Sequence, residues 1–456
     1  MVGSDDGVPT HAKLETPADV VIANGCDCEP LVYSSSHLLV QHANDVIDGL
    51  QLAMQATGAH QGIVAFISTA PVLEAAVRAA AARPGIDVFH APAFYPVGDE
   101  CVLAYEATGR LAPSYGSAAS VGVLILSVET LYNLSLAARG VPVTQRTVTV
   151  AGEVARPQVL RLPLGARASD AIQRAGGPAI ERFRVLMGGP MHGGLADDAC
   201  EPITKTTAAV IVLPPQHIQV QKRTRSLSMM LMRARSACFH CQECTDSCPR
   251  YLAGQQIEPH KIMRAISYSM DSLSTSITSA VNCNECGLCD SYVCKMGISP
   301  RVICHEIKGH LAAMGWQPMV PPDFPTAVRS AYAVRHVPLD GLAARLGVTK
   351  YIQGIDLPKL LEAVAETGPP IVQSLAVLML QHVGAAAVPT VGVGEVVQLG
   401  QVIGEIPEGK LGARVHASLV GTVGSVCGWS VEIEAPPECV ADPAGQITLA
   451  ENLPAG

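Results

Sequence analysis

The chain has 456 residues, which predicts about three domains at roughly 150 residues each. Its net charge of −9 argues against nucleic acid as a partner, because phosphate backbones bind basic surfaces. No apolar run approaches the roughly 20 residues that span a membrane, and no N-terminal signal sequence is present, so we expect a cytoplasmic protein without a transmembrane segment.

Residues 1–140 alternate between strand-like apolar runs and helix-like runs. The strand-like runs include "DVVIAN", "GIVAFIS" and "VGVLILSV", and the longest helix-like run is "HLLVQHANDVIDGLQLAMQAT". This alternation predicts an α/β domain with a largely parallel sheet. Nucleotides and flavins bind at the loops that follow such strands. Three candidate loops are "VGSDDGVPTHAK", "ANGCDCEPLVYS" and "YPVGDECVLAYEATGR".

The pattern changes at about residue 141. Alternating strands, a turn at "RPQ" and a helix from near Ala168 to Gly176 predict a second, small domain. His192 lies in a glycine-rich turn of this region, and we expect a surface or hinge histidine there. A basic, methionine-rich segment, "QKRTRSLSMMLMRARSA", predicts one helix that packs against the domain that follows it.

The cysteines give the strongest chemical indication. Of the fifteen cysteines, eight lie in two tight clusters between residues 238 and 294. The first cluster has the C-x2-C-x2-C-x3-C-P spacing of bacterial ferredoxins, and the second has a last step that is one residue longer and lacks the proline. The alternative, a pair of zinc sites, requires two C-x2-C pairs and not two triplets with a fourth member each.

These spacings predict two [4Fe–4S] clusters. In two-cluster ferredoxins the fourth cysteine of each run ligates the other cluster. We therefore expect crossed ligand sets. One set is Cys238, Cys241, Cys244 and Cys294, and the other is Cys283, Cys286, Cys289 and Cys248.

The last part of the chain has two segments with different sequence patterns. Residues 320–370 predict a proline-containing connector with short helices, and the segment that follows predicts many short strands with glycine turns, which is typical of an all-β module. Lys410 lies in one of these turns, but its neighbours do not match a lipoyl or biotinyl carrier motif. We therefore expect a structural module.

Together these segments resemble the flavin- and NADH-binding subunit of respiratory complex I and its relatives in the RnfC and PduS family. The resemblance implies a multidomain α/β protein with a Rossmann-like flavin/NADH domain, a β-grasp-like SLBB domain, an α-helical two-cluster ferredoxin domain and a C-terminal barrel-sandwich module. The implied boundaries are 1–140, 141–215, 216–320, a connector at 321–370, the module at 371–436 and a C-terminal tail at 437–456.

The resemblance also implies a set of flavin and NADH ligands. The loop ending in "PTHAK" corresponds to the family's glycine-rich flavin loop, with Lys13 at the flavin phosphate. "NGCDCEP" corresponds to a loop against the isoalloxazine and ribityl groups, "YPVGDE" to the flavin and nicotinamide side, and "LSVETLYNL" to a segment near the phosphate. The implied residues are Gly3, Gly7, Lys13, Asn24, Asp27, Glu29, Gly98, Asp99, Glu100 and Thr130.

The order of the domains is similar to that of PduS proteins, because the β module follows the cysteine clusters. This similarity implies that electrons pass from NADH through FMN and two clusters to a corrinoid, or to a cobalamin adenosyltransferase that holds it. It also implies location in a bacterial microcompartment, with shell proteins as further partners. Two alternatives stay open, a flavin-free iron–sulfur adaptor and an Rnf-type peripheral subunit of a membrane complex.

The N-terminal loop departs from the family pattern. Asp5 and Asp6 lie where the family has glycines, and two carboxylates repel a phosphate dianion at close range. The flavin-free alternative rests on this departure.

Overall fold

The computed structural model describes residues 7–268, 275–318, 325, 327–363 and 373–436. Gly3, Asp5, Asp6 and the predicted tail at 437–456 lie outside the described residues.

Four parallel strands form the sheet of the first domain, in the order β3-β2-β1-β5. The central strand β1 is buried along most of its length, as expected for a parallel strand with helices on both faces. The prediction of an α/β domain with a parallel sheet is confirmed. The strands of this domain are β1 (Val20–Gly25), β2 (Gln61–Phe66), β3 (Ile86–His90), the short β4 (Phe94–Tyr95) and β5 (Val123–Ser127).

Helices cover both faces of this sheet. The closest helix pair meets at Gly49, where a Cβ atom would overlap the carbonyl group of Leu131, so only glycine permits this approach. The helices are α1 (Thr10–Leu14), α2 (Ser34–Gln41), α3 (Ala43–Thr57), α4 (Pro71–Ala80), α5 (Glu100–Thr108) and α6 (Val128–Ala138).

A five-stranded mixed sheet forms the second domain, in the order β7-β6-β10-β8-β9. The outer strand β7 and the strand β8 run antiparallel to their neighbours, whereas β10 runs parallel to β6. Its helix begins at Ala168, as predicted. The elements are β6 (Gln145–Gly152), β7 (Gln158–Pro163), α7 (Ala168–Arg174), β8 (Arg184–Met187), β9 (Gly194–Leu195) and β10 (Ala209–Leu213).

The cysteine domain consists of short helices joined by the cysteine loops. The prediction of one basic, methionine-rich helix is wrong, because the chain breaks at Thr224–Ser226 and the Ser226 hydroxyl caps a new helix by accepting a hydrogen bond from the Met229 amide at 3.3 Å. The helices are α8 (Ile218–Arg223), α9 (Leu227–Ala237), α10 (Glu243–Asp246), α11 (Pro249–Leu252), α12 (Pro259–Ser267), α13 (Thr275–Thr278) and α14 (Pro300–Ala313).

The connector returns to the first domain. Its strand pairs antiparallel with β4, so that Val337 lies opposite Tyr95. Its elements are β11 (Val337–Pro338), α15 (Leu339–Leu346), α16 (Thr349–Gln353) and α17 (Leu357–Glu362).

The C-terminal module contains two antiparallel sheets, in the orders β12-β18-β17-β14 and β13-β15-β16. Its apolar core is continuous with the core of the second domain, since Leu375 and Val377 pack in the same cluster as Val148 and Val150. The strands are β12 (Ser374–Leu378), β13 (Val388–Pro389), β14 (Val396–Val397), β15 (Val402–Glu405), β16 (Val415–His416), β17 (Gly421–Cys427) and β18 (Ser430–Glu434).

Within the described ranges, none of the helices combines the length and apolar character that a membrane crossing requires.

Candidate functional site

A cavity of about 640 Å³ opens at the carboxyl ends of β1 and β5. This is the edge at which open α/β sheets bind ligands, and the volume is typical of a small-molecule site. Residues of the second domain and of the cysteine domain complete its wall. Eight residues expected at the flavin line it together: Lys13, Asn24, Asp27, Glu29, Gly98, Asp99, Glu100 and Thr130.

Gly7 is not among the residues that line the cavity. Its backbone has a positive φ of 69° and faces the C-terminal module, where its carbonyl oxygen accepts a hydrogen bond from the Val383 amide at 2.9 Å. The N-terminal loop therefore meets the last domain at Gly7 and reaches the cavity at Lys13.

Asn24 joins the loops that follow β1 and β4. Its side-chain amide donates a hydrogen bond to the Gly98 carbonyl at 3.0 Å, and its side-chain oxygen accepts one from the Cys26 amide at 3.1 Å. The amide and the oxygen of the asparagine side chain therefore fix the relative position of two loops of the cavity wall.

Glu29 forms an ion pair with His192 from the second domain. The Nδ1 atom of His192 lies 3.2 Å from the carboxylate, which also accepts hydrogen bonds from the Met191 and His192 amides. Burial by itself would raise the pKa of Glu29, but the bonds from His192 and these amides bring it below its ordinary value. Burial would lower the pKa of His192, and the carboxylate raises it instead. Both shifts favour the charged pair.

Asp99 connects the first domain to both cysteine loops. One carboxylate oxygen caps α5 by accepting from the Cys101 and Val102 amides, each at 3.1 Å. The other accepts from Arg250 at 2.9 Å and from the Asn284 side chain at 2.6 Å. Arg250 follows the first cysteine run, and Asn284 lies inside the second.

The two cysteine triplets share one backbone conformation. In the first triplet His240 and Gln242 have positive φ angles of 53° and 68°, and in the second Glu285 and Gly287 have 58° and 75°. These residues stand two and four positions after the first cysteine of each triplet. Left-handed residues at alternate positions are typical of the backbone nests that surround iron–sulfur sites.

The fourth cysteine of each run lies near the other triplet. Burial, and then the neighbouring thiols of Cys241, Cys238, Cys294 and Cys248, raise the pKa of Cys244 to about 12. Burial also raises the pKa of Cys248 to about 12, and the neighbouring thiol that contributes is Cys283. Cys248 precedes Pro249, which begins α11, a position that suits proline because its missing amide needs no partner there.

Within the described residues, no group of three or more His, Cys, Asp or Glu side chains converges on the position of a single metal ion. The thiolates around a cubane bind different iron atoms, so they stand further apart than the ligands of one zinc ion.

Cys286 brings the second triplet to the cavity. It is one of the residues that line the cavity wall, and its carbonyl oxygen accepts a hydrogen bond from the Tyr95 hydroxyl at 2.6 Å. The Tyr95 hydroxyl also lies 3.5 Å from Nδ1 of His192. A ligand in the cavity is therefore adjacent to a cluster-binding loop.

The first domain contains three cysteines outside the two cysteine runs, Cys26, Cys28 and Cys101. Burial raises the pKa of Cys28 and of Cys101 to about 12, and it raises that of Cys26 as well.

Sequence reasoning missed several residues of the cavity wall. His192 was expected at a surface or hinge, and its side chain is indeed 51% exposed, but its pairing with Glu29 was not predicted. Tyr95, Arg146, Arg250 and Asn284 were not singled out. Each of these residues is far in sequence from the residues that it contacts at the cavity. The available indications were a histidine in a glycine-rich turn and polar residues beside the cysteine runs.

Asp27 provides a pH-dependent test of the cavity wall. Burial raises its pKa from 3.8 to about 6, although hydrogen bonds from Ser36 and Ser35 oppose the shift. The folded protein holds this proton after the unfolded chain has lost it, so stability falls between about pH 4 and pH 6 and stays lower above pH 6. Asp27→Asn removes this penalty.

We expect Asp27→Asn to be more stable than the parent by about 1–3 kcal/mol at pH 7.5 and nearly equal to it at pH 4. The measurement is thermal unfolding of the flavin-free protein across this range. A stability difference that does not change with pH would contradict the assignment.

The α/β cavity and the adjoining pair of cysteine loops define an electron-transfer oxidoreductase of the flavin and iron–sulfur class. The chain belongs to the PduS family. It is 36% identical over 427 residues to "Cobalamin reductase PduS" of Salmonella typhimurium (strain LT2), an alignment that covers 92% of this chain and 91% of the relative. It is 35% identical to the protein of the same name from Citrobacter freundii, over 94% of this chain and 92% of the relative.

More distant similarity covers part of the chain. One component of the Na(+)-translocating ferredoxin:NAD(+) oxidoreductase complex of Acetobacterium woodii is 30% identical over 54% of each chain. Family matches occur in the predicted order. They are the Nuo51 FMN-binding domain at residues 2–136, the SLBB domain at 147–199, the 4Fe-4S dicluster domain at 237–299 and the RnfC barrel sandwich hybrid domain at 361–441.

Proposed function

We propose that this chain transfers electrons from NADH, through FMN and two [4Fe–4S] clusters, to the cobalt of a corrinoid. The observation that carries the proposal is the cavity wall, where the flavin-type loops lie beside Cys286 of the second cysteine triplet. A flavin in this cavity is adjacent to a ligand of its electron acceptor. The names of the two PduS relatives support the corrinoid as the final acceptor.

The proposed flavin ligands are the eight sequence-predicted residues that line the cavity. FMN, when bound, accepts a hydride and returns single electrons, which suits clusters that accept one electron each. Lys13 and Thr130 would hold the phosphate, Asn24, Asp27 and Glu29 the isoalloxazine and ribityl groups, and Gly98, Asp99 and Glu100 the nicotinamide side. Their common cavity supports these roles.

The two clusters would have crossed ligand sets. The repeated left-handed residues support two equivalent loops, and the proximity of Cys294 to Cys244 and of Cys248 to Cys283 supports the exchange of the fourth ligand. The proposed sets are Cys238, Cys241, Cys244 and Cys294, and Cys283, Cys286, Cys289 and Cys248.

Electrons would leave the protein from the cluster that contains Cys241. Cys241 is exposed, whereas Cys286 is buried at the cavity. We place the corrinoid, or an adenosyltransferase that holds it, on the exposed side. We place the protein in the cytoplasm, within a microcompartment whose shell proteins are further partners.

The test begins with protein purified under anaerobic conditions. We expect heat denaturation to release one FMN per chain as a yellow fluorescent compound, and we expect NADH to bleach the cluster absorbance and then to reduce added cobalamin. Full iron content without flavin would leave the iron–sulfur adaptor as the function. Flavin-dependent bleaching without reduction of cobalamin would show that the acceptor is wrong.

Gly189→Ala tests the role of Glu29. A methyl group at Gly189 would overlap the Glu29 carboxyl group, which is the movable end of a side chain, so the fold is retained and the carboxylate is displaced. We expect FMN affinity to fall by about tenfold or more, the effect of losing one hydrogen bond to a charged group.

Gly194→Ala is the matched control, because a Cβ atom at Gly194 meets nothing within 4 Å. The measurement is FMN binding by fluorescence quenching for both variants. Equal affinities for the two variants would show that Glu29 does not contact the flavin.

A further inference from the structure

A cationic group from the second domain lies in the wall of the flavin-type cavity. Arg146 is the second residue of β6, and it is 4% exposed. Its Nε atom donates a hydrogen bond to the Thr207 carbonyl at 3.0 Å. Arg146 lines the cavity together with Lys13.

The charge on Arg146 is incompletely satisfied. Its Nη1 atom lies 3.8 Å from the Glu129 carboxylate, which is within ion-pair range but too far for a hydrogen bond. Among the described residues, neither Nη1 of Arg146 nor Oε2 of Glu129 has a hydrogen-bond partner. Buried charged groups normally have such partners, because an unsatisfied one costs free energy. A ligand with acceptor oxygens would supply the missing partner of the arginine.

The surroundings of Arg146 favour an anion. Glu129 and Thr130 lie in the first turn of α6, an 11-residue helix whose N-terminal end borders the cavity. A helix N-terminus favours negative charge, and Lys13 adds a second cation to the same wall. Glu129 is held by the Thr147 amide at 3.4 Å, so it stays beside the guanidinium.

A different group of contacts surrounds Cys286. The Tyr95 hydroxyl donates a hydrogen bond to the Cys286 carbonyl. Nδ1 of His192 lies near the same hydroxyl, and His192 in turn pairs with Glu29. A flavin ring that delivers electrons to the second triplet belongs beside this group. The phosphate-bearing end then falls at the cationic group of Lys13, Arg146 and the start of α6.

We infer that Arg146 binds the phosphate group of FMN, so that the second domain completes the flavin site of the first. This inference rests on the proposed flavin site. It also gives the second domain a direct part in cofactor binding, since its sheet carries a phosphate ligand. The second possible source of a phosphate here is the pyrophosphate of NADH, and the experiment separates the two.

The test compares FMN with riboflavin, which lacks the phosphate. The full-length, cluster-containing protein is depleted of flavin, and the affinity for each flavin is measured by fluorescence quenching. We expect Arg146→Gln to weaken FMN binding by about 10- to 100-fold, as for one hydrogen bond between charged groups, and to leave riboflavin binding within about twofold. Arg146→Lys should restore part of the FMN affinity.

Arg184→Gln is the matched control. Arg184 is a buried arginine in the same domain that does not line the cavity, and we expect both flavin affinities to stay unchanged. If Arg146→Gln fails to fold because Glu129 is left alone, the double variant Glu129→Gln/Arg146→Gln removes the pair together and is tested in the same way.

The possible outcomes are distinct. Loss of FMN affinity alone supports the inference. Equal loss of FMN and riboflavin affinity overturns it, and so does an increased KM for NADH with unchanged FMN binding, which would assign Arg146 to the dinucleotide. A parent protein that binds neither flavin would overturn the proposed function itself, before any variant is compared.

Discussion

Replacing Cys248 with alanine is expected to remove the cluster that we assign to Cys283, Cys286 and Cys289 and to leave the other proposed cluster in place. Cys248 belongs to the first cysteine run by sequence, but Cys283 of the second triplet is the neighbouring thiol that contributes to its raised pKa. Since a [4Fe–4S] cluster is held by four thiolates, loss of one ligand removes or degrades that cluster. We expect the iron content to fall by about half.

Electron paramagnetic resonance of the reduced protein distinguishes the two clusters. Cys289→Ala identifies the spectrum of the second triplet, and Cys248→Ala should lose that same spectrum. The reciprocal variant, Cys294→Ala, should lose the other one. Cys427→Ala is the control, because this exposed cysteine lies in the C-terminal module. If Cys248→Ala instead retained the spectrum that Cys289→Ala loses, the crossed assignment would be wrong.

The Cys248→Ala variant also tests the direction of electron flow. Its lost cluster is the one whose triplet reaches the cavity through Cys286. We expect NADH to reduce the flavin of this variant at a normal rate, whereas the remaining cluster should be reduced at least tenfold more slowly, because the cluster next to the flavin is missing.

Asp99→Ala is expected to destabilise the protein by about 3–5 kcal/mol, because it leaves the Arg250 guanidinium buried without its anion. The side chains of Asp99 and Arg250 are 7% and 14% exposed, so solvent screens the pair little. Asp99 also caps α5 and bonds Asn284, so its loss also removes one connection between the first domain and the cysteine loops. The measurement is thermal unfolding of the cluster-containing protein.

Asp19→Ala is the matched control for Asp99→Ala. Asp19 pairs with Arg110 in the same domain at 2.7 Å, but the two side chains are 57% and 36% exposed, and such pairs contribute at most about 1 kcal/mol. We also expect Asp99→Ala/Arg250→Ala to be less destabilised than the sum of the single variants. Similar losses of stability in Asp19→Ala and Asp99→Ala would show that the buried Asp99–Arg250 pair is not important for stability.

The predictable parts of this protein were those that depend on residues close together in sequence. The C-x2-C-x2-C spacing predicts a loop around a cluster, and the two triplets indeed share one backbone conformation. The helix that begins at Ala168 and the proline that starts α11 follow from local preferences. The prediction of one methionine-rich helix was wrong because Ser226, a good N-cap, competes with continuation of the helix.

The composition of the cavity wall was only partly predictable. The loops after parallel strands are recognisable in sequence, and eight of the expected flavin residues line one cavity. The position of Gly7 against the C-terminal module was not predictable, because it depends on how that module packs on the second domain. The pairing of His192 with Glu29 depends in the same way on the docking of two domains.

The sequence by itself determined the cysteine loops, the parallel sheet and the order of the domains, because spacing, periodicity and capping act over a few residues. Only the tertiary structure decided that Cys286 reaches the cavity, that Asp99 holds Arg250 and Asn284, and that Arg146 adds an unsatisfied charge to the cavity wall. These contacts join residues that are far apart in the chain. Burial of apolar surface between domains brings these residues together, and no local sequence pattern encodes that burial.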